Sequence, residues 1–145
     1  MFAVVFCVDA TTAQPLCCTL GSSSRCVAQA TPELLDIAAN ILPASHAAPL
    51  LLADVEHFSV ALFTHVVDDG RFDLLVPLPC QPYYQKFLRA IPTAMFTHRW
   101  SVLATAVAPF RFREAPALPL WCFVQRTGER PDDYRYKGFT NLCSF

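Results

Sequence analysis

The chain has 145 residues, 54% of them hydrophobic and only 16% charged, with a formal net charge of −1. That is enough for one domain with its own core, but a charged share below the usual ~25% points to surface that belongs against chain that is missing. The 11 Lys and Arg are not gathered in one block, so global charge gives no support to nucleic-acid binding, and no apolar run approaches the ~20 residues of a membrane span.

Met1–Val8 is apolar, lacks a basic n-region and runs straight into Asp9. It therefore reads as a buried strand over Phe2–Val8 rather than a signal peptide. Asp9–Gln14 is a polar turn and Pro15–Leu20 a second strand, which predicts an antiparallel hairpin. Gly21–Ser24 reads as loop. Thr31-Pro32-Glu33 has the features of a helix start, with Thr as N-cap, Pro at the first helical position and an acid in the first turn. Leu34, Leu35, Ala38, Ile41 and Leu42 line one face of that helix, and Pro43 stops it.

Leu50–Ala53 is an apolar strand that ends at Asp54. Ser59 is a good N-cap for a second helix, and Phe58 and Phe63 have the spacing of a hydrophobic staple. Val60, Phe63, Val66 and Val67 form the apolar stripe, and Gly70 closes the helix. Phe72–Val76 is another strand, ended by Pro77, and Tyr83–Ile91 a short amphipathic helix. Val102–Phe112 and Leu118–Val124 read as extended segments, and Gly128–Lys137 as a polar loop.

Strands alternating with helices predict a single three-layer α/β domain over residues 1–145. The opening hairpin is expected to belong to the same sheet and to make it mixed. Leu50–Leu52 is purely apolar, as suits a strand covered on both faces inside that sheet. A sheet that opens with an antiparallel meander and continues with helix-connected parallel strands is the ribonuclease H-like arrangement. Its meander has three strands; only two are legible before the first helix.

The seven cysteines are odd in number, and none are spaced as C-x₂-C. They lack the tight pairs and His partners of a zinc site. Reduced, mostly buried thiols acting as small hydrophobes are expected, which fits a cytoplasmic protein.

Asp54 is the candidate site residue, because placement and chemistry agree there. In an open α/β sheet, ligands gather at the C-terminal ends of strands, and a carboxylate is the hard oxygen ligand that Mg²⁺ uses. The competing reading is a strand-end Asp that accepts backbone hydrogen bonds from the following turn. Asp9 also follows an apolar strand, but the Thr-Thr-Ala-Gln after it marks a turn. Glu56 and His57 read as solvated loop residues or as groups near DNA or a metal; His46, His65 and His98 have no ligand spacing. Asp68-Asp69 reads as a solvated turn, and Glu129, Asp132 and Asp133 as loop acids, with a third metal-binding carboxylate as the alternative. Arg111, Arg113, Arg126, Arg130, Arg135 and Lys137 concentrate positive charge in the last third, as a charged surface or a path for DNA phosphates.

Leu51–Ser59 with its helix, followed by Gly70-Arg-Phe-Asp-Leu-Leu-Val-Pro77, resembles the core of DDE-type transposases of bacterial insertion sequences. In that family an apolar strand ends in the second catalytic Asp, a short motif with Ser follows, and the helix runs through Gly into a strand like Phe-Leu-Ile-Pro. Val5–Leu16 resembles the family's hairpin, and Trp121–Gly128 the strand that leads toward the last catalytic Glu. The resemblance implies Mg²⁺-dependent DNA strand cleavage and transfer at transposon ends. Asp54 would be the catalytic and metal-binding member of the triad present here. The first Asp of the family lies on a strand before this hairpin and the Glu on a helix beyond the tail, so the expectation is an internal, incomplete ribonuclease H-like fragment, inactive by itself. The resemblance places Asp9 on the hairpin turn; the other reading of Asp9 is that it is the family's first catalytic Asp, 45 positions before Asp54. The alternative is a non-catalytic α/β binding or interaction module in which Asp54 is structural.

Overall fold

Backbone pairing divides the strands between two sheets in the computed structural model, which describes residues 2–22, 27–43 and 47–141. The first sheet is the hairpin of β1 (Phe2–Val8) and β2 (Pro15–Ser22), antiparallel as expected, with a register irregularity between Cys7 and Val8. The second comprises β3 (Leu50–Leu52), β4 (Asp73–Pro77), β5 (Thr97–Trp100), β6 (Leu103–Phe110), β7 (Leu120–Thr127) and β8 (Arg135–Asn141). Its spatial order is β3-β4-β8-β7-β6-β5. β3 and β4 are parallel, and every other neighbouring pair is antiparallel. The protein is thus a mixed α/β structure whose sheet is mixed because of β3 and β4. The hairpin does not belong to it.

Three helices supply the second layer: α1 (Val27–Ile41), α2 (Val60–Asp69) and α3 (Pro82–Ala90). Leu35 and Ala38 of α1, Leu62, Phe63 and Val66 of α2 and Leu88 of α3 share one core with Leu74, Val76, Cys122 and Val124 of the sheet. α1 also packs on both hairpin strands, and Cys7 and Cys17 of the hairpin reach the same core. The helix therefore bridges two sheets that share no ladder.

α2 forms as its sequence dictates. Ser59 Oγ accepts the N–H of Leu62 at 3.3 Å, and the Phe58 and Phe63 rings meet edge to face at 5.9 Å. Gly70 ends the helix at φ +68°, a left-handed conformation that favours glycine. α1 departs from its start signal. It begins at Val27, so Thr31 and Pro32 lie inside it, and the Thr31 hydroxyl donates to the Val27 carbonyl at 2.8 Å. Ala30 and Thr31 are buried, and that packing offsets the backbone hydrogen bond that Pro32 forfeits.

Besides the place of the hairpin, two further expectations about the sheet are corrected. Leu50–Leu52 is an edge strand, with Leu50 51% and Leu52 59% exposed, instead of a strand covered on both faces. A short apolar run does not reveal whether a second neighbour exists. The segment read as polar loop is loop from Gly128 to Tyr134, but its last three residues, Arg135–Lys137, open β8, which lies between β4 and β7. Arg135 and Lys137 point outward while Gly138 and Thr140 are buried, and the outward charges masked the strand.

Gly138 is where β8 meets α3. A Cβ there would stand 2.6 Å from Leu78 Cδ1, 3.0 Å from Leu88 Cδ2 and 3.1 Å from Cys122 Sγ. By strand alternation Leu50, Leu52, Val107 and Trp121 lie on the face away from the core, and all four are exposed. Among the described residues no helix is long and apolar enough to cross a membrane.

Candidate functional site around Asp54

The parallel ladder of β3 and β4 runs one residue past β3, through the Ala53 N–H to the Leu75 carbonyl at 3.1 Å. Asp54 is the next residue, with extended backbone (φ −82°, ψ −179°), and it caps a single 3-10 turn over Val55–His57. Strand, carboxylate and helix start thus stand where the sequence puts them. The local reason is that the Asp54 side chain closes the turn on itself. Its Oδ1 accepts the Glu56 N–H at 3.0 Å and lies 2.8 Å from Nδ1 of His57.

The His57 ring is mostly covered, whereas the Asp54 side chain is 68% exposed. The hydrogen bond from His57 is the main cause holding the Asp54 carboxyl below its ordinary pKa, with the Glu56 N–H and the His57 charge acting in the same direction and partial burial opposing them. Oδ2 accepts no hydrogen bond among the described residues, so one carboxylate oxygen is free to meet a ligand. The Asp54–His57 pairing was not foreseen. Its only sequence signal is the spacing of a turn-capping Asp and a His three residues later.

Asp9 is a turn residue. Its Oδ1 accepts the N–H groups of Thr11 at 2.7 Å and Thr12 at 3.0 Å, and these bonds lower its carboxyl pKa. Asp69 is no plain solvated acid: Arg71 Nε donates to its two oxygens at 2.7 and 2.9 Å while Nη2 of Arg71 reaches Asp36 on α1. That fork ties the end of α2 to α1. His46, Cys26 and Cys143 lie outside the described residues.

The cysteines are less buried than expected. Cys122 is buried, Cys7 and Cys17 are half-buried, and Cys18 and Cys80 are exposed. Cys7 and Cys17 face each other across the hairpin, and burial raises both thiols.

The described residues do not by themselves make a complete site for Mg²⁺, the ion implied by the resemblance. Two-ion phosphoryl-transfer chemistry needs several carboxylates around ions roughly 3.5–4 Å apart, and Mg²⁺ demands near-octahedral oxygen ligation. Among the described residues no group of three His, Cys, Asp or Glu side chains is placed to hold a metal. Asp54 alone offers one free oxygen. Comparison with known proteins adds no candidate, since no family model, no curated protein and no solved structure matches this chain.

Proposed function

We propose that this chain is part of the catalytic domain of a DDE-type transposase, ribonuclease H-like in fold, and that Asp54 is one of the three carboxylates of its active site. The observation that carries this reading is the position of Asp54. It follows directly on a strand parallel to β4, it starts the turn that leads to α2, and it keeps Oδ2 free. The hairpin, helix, strand, helix, strand order over the first 77 residues matches the family's order along the chain, although the hairpin forms its own sheet and β3 is an edge strand. The partner is DNA at the ends of a transposable element, and the reaction in the intact enzyme is Mg²⁺-dependent strand cleavage and transfer. On this reading the family's other two carboxylates are not among the 145 residues, and the chain by itself is expected to be inactive.

The test is a strand-cleavage assay on labelled element ends. The 145-residue chain is expected to be inactive. A longer chain that adds an Asp-bearing strand upstream and a Glu-bearing helix downstream is expected to be active with Mg²⁺. Turnover by the 145-residue chain would refute the requirement for further carboxylates.

The second reading, an interaction module without catalysis, is favoured by one observation. Asp54 Oδ1 is already engaged as the cap of its own turn. An inactive extended chain that still folds would decide for it.

A further inference from the structure

A cavity of about 720 Å³ opens where β4 has ended and β8 continues, with α3 on its other side. Arg89 of α3 and Arg135 and Lys137 of β8 line it, and no Asp or Glu does. All three cations are exposed, and none makes an ion pair among the described residues. Gln85 and Gln125 add neutral hydrogen-bonding groups, while Leu78 and Phe139 make part of the wall apolar. In a chain with net charge −1, three unpaired cations around one concavity are a local departure from the whole. They attract anions, and the low-dielectric walls strengthen that field.

Tyr134 also lines the cavity, and it is held from behind. Arg126 is only 3% exposed, and its guanidinium lies over two rings, 4.2 Å from the Tyr134 centroid and 4.3 Å from that of Phe96. Such cation–π contacts strengthen when they are withdrawn from water. A pinned aromatic wall beside unpaired cations combines the two parts of a single-strand site, a charged track for the backbone and a ring on which a base stacks. A duplex presents phosphates but keeps its bases stacked inside, so it would leave the aromatic wall unused.

We infer that the cavity between α3 and β8 binds single-stranded DNA, with phosphates on Arg89, Arg135 and Lys137 and a base against Tyr134. The choice of DNA rests on the proposed function; the single-strand geometry rests on the cavity. The site is separate from Asp54.

The test uses the 145-residue chain in EDTA and the fluorescence anisotropy of a short labelled oligothymidine over a range of NaCl concentrations. Arg89→Gln/Arg135→Gln/Lys137→Gln is expected to weaken binding about tenfold or more at low salt. It should also flatten the log–log salt dependence by about 2, since each phosphate contact on a single strand contributes a slope near 0.7. Tyr134→Ala should weaken binding with the salt slope unchanged. Arg99→Gln/Arg111→Gln/Arg113→Gln, which removes the same charge elsewhere, should leave affinity within about threefold, the margin that net charge alone accounts for. Equal losses in the two triple variants would overturn the site. So would displacement of the oligomer by inorganic phosphate at matched phosphate concentration, or tighter binding of the duplex of the same sequence through the same three residues. None of these variants touches Asp54. A failure here therefore leaves the cleavage test of Asp54 standing, and a failed cleavage test leaves this one standing.

Discussion

Nδ1 of His57 lies 2.8 Å from Oδ1 of Asp54, across a turn that Asp54 itself caps. One carboxylate oxygen is thereby committed to local structure and the other is left outward. The sequence resemblance assigns this residue to chemistry, and the geometry gives it a structural task as well. Variants can separate the two.

The carboxyl of Asp54 is held below its ordinary pKa by His57 first and the Glu56 N–H next. A depressed folded pKa contributes stability that is present above the unfolded value of about 3.9 and is lost as pH falls through the folded pKa. The side chain is 68% exposed, so solvent screening keeps the contribution below about 1 kcal/mol. Asn caps turns and helices about as well as Asp. Asp54→Asn is therefore expected to fold and to lose less than about 1 kcal/mol at pH 7, with the difference vanishing below the folded pKa. Urea unfolding of both proteins at neutral and acid pH checks this. A loss of several kcal/mol at pH 7 would make Asp54 a mainly structural residue.

Gly138→Ala should destabilise the protein by about 1–3 kcal/mol, the usual cost of overpacking. The added methyl would meet Leu78, Leu88 and Cys122, and the last two are fully buried and have little room to give. The denaturation midpoint reads the effect. Because Gly138 seats β8 against α3, the same variant should also weaken oligothymidine binding at the cavity. An unchanged midpoint would mean that α3 is not closely packed on β8.

Thiol reactivity should follow burial rather than sequence surroundings. Burial pushes the Cys122 thiol up to about 12, so it carries almost no thiolate at pH 8. Cys18 and Cys80 are exposed. Among the described cysteines, iodoacetamide labelling of the native protein, read by peptide mass, should modify Cys18 and Cys80 first and spare Cys122 until denaturant is added. Early modification of Cys122 would show that the core beneath β7 opens readily.

The parts of this fold that were legible in the sequence carry their own local signals. Ser59, Phe58, Phe63 and Gly70 define α2 through contacts within a few residues of one another. Asp9 and the residues after it define the hairpin turn in the same way. The parts that were not legible depend on distant partners. Thr31-Pro32 has the grammar of a helix start, yet burial of Ala30 and Thr31 carries α1 upstream to Val27. β8 begins with exposed charges and is a strand because β7 and β4 lie on either side of it. For the site, the place of Asp54 at a strand end was legible, while its bond to His57 depended on the shape of the turn.

Strand cleavage of a labelled element end by the extended chain, with Asp54 or with Asn at that position, tests the assignment of Asp54 most directly. DNA binding by the two proteins is measured in parallel, so that a folding or binding defect is not mistaken for lost chemistry. The expected result is Mg²⁺-dependent cleavage by the Asp54 protein and loss of at least about a thousandfold in Asp54→Asn, since a neutral amide keeps the shape but cannot supply a metal-binding charge, with DNA affinity unchanged. Cleavage that survives Asp54→Asn would contradict the assignment of Asp54 to the active site.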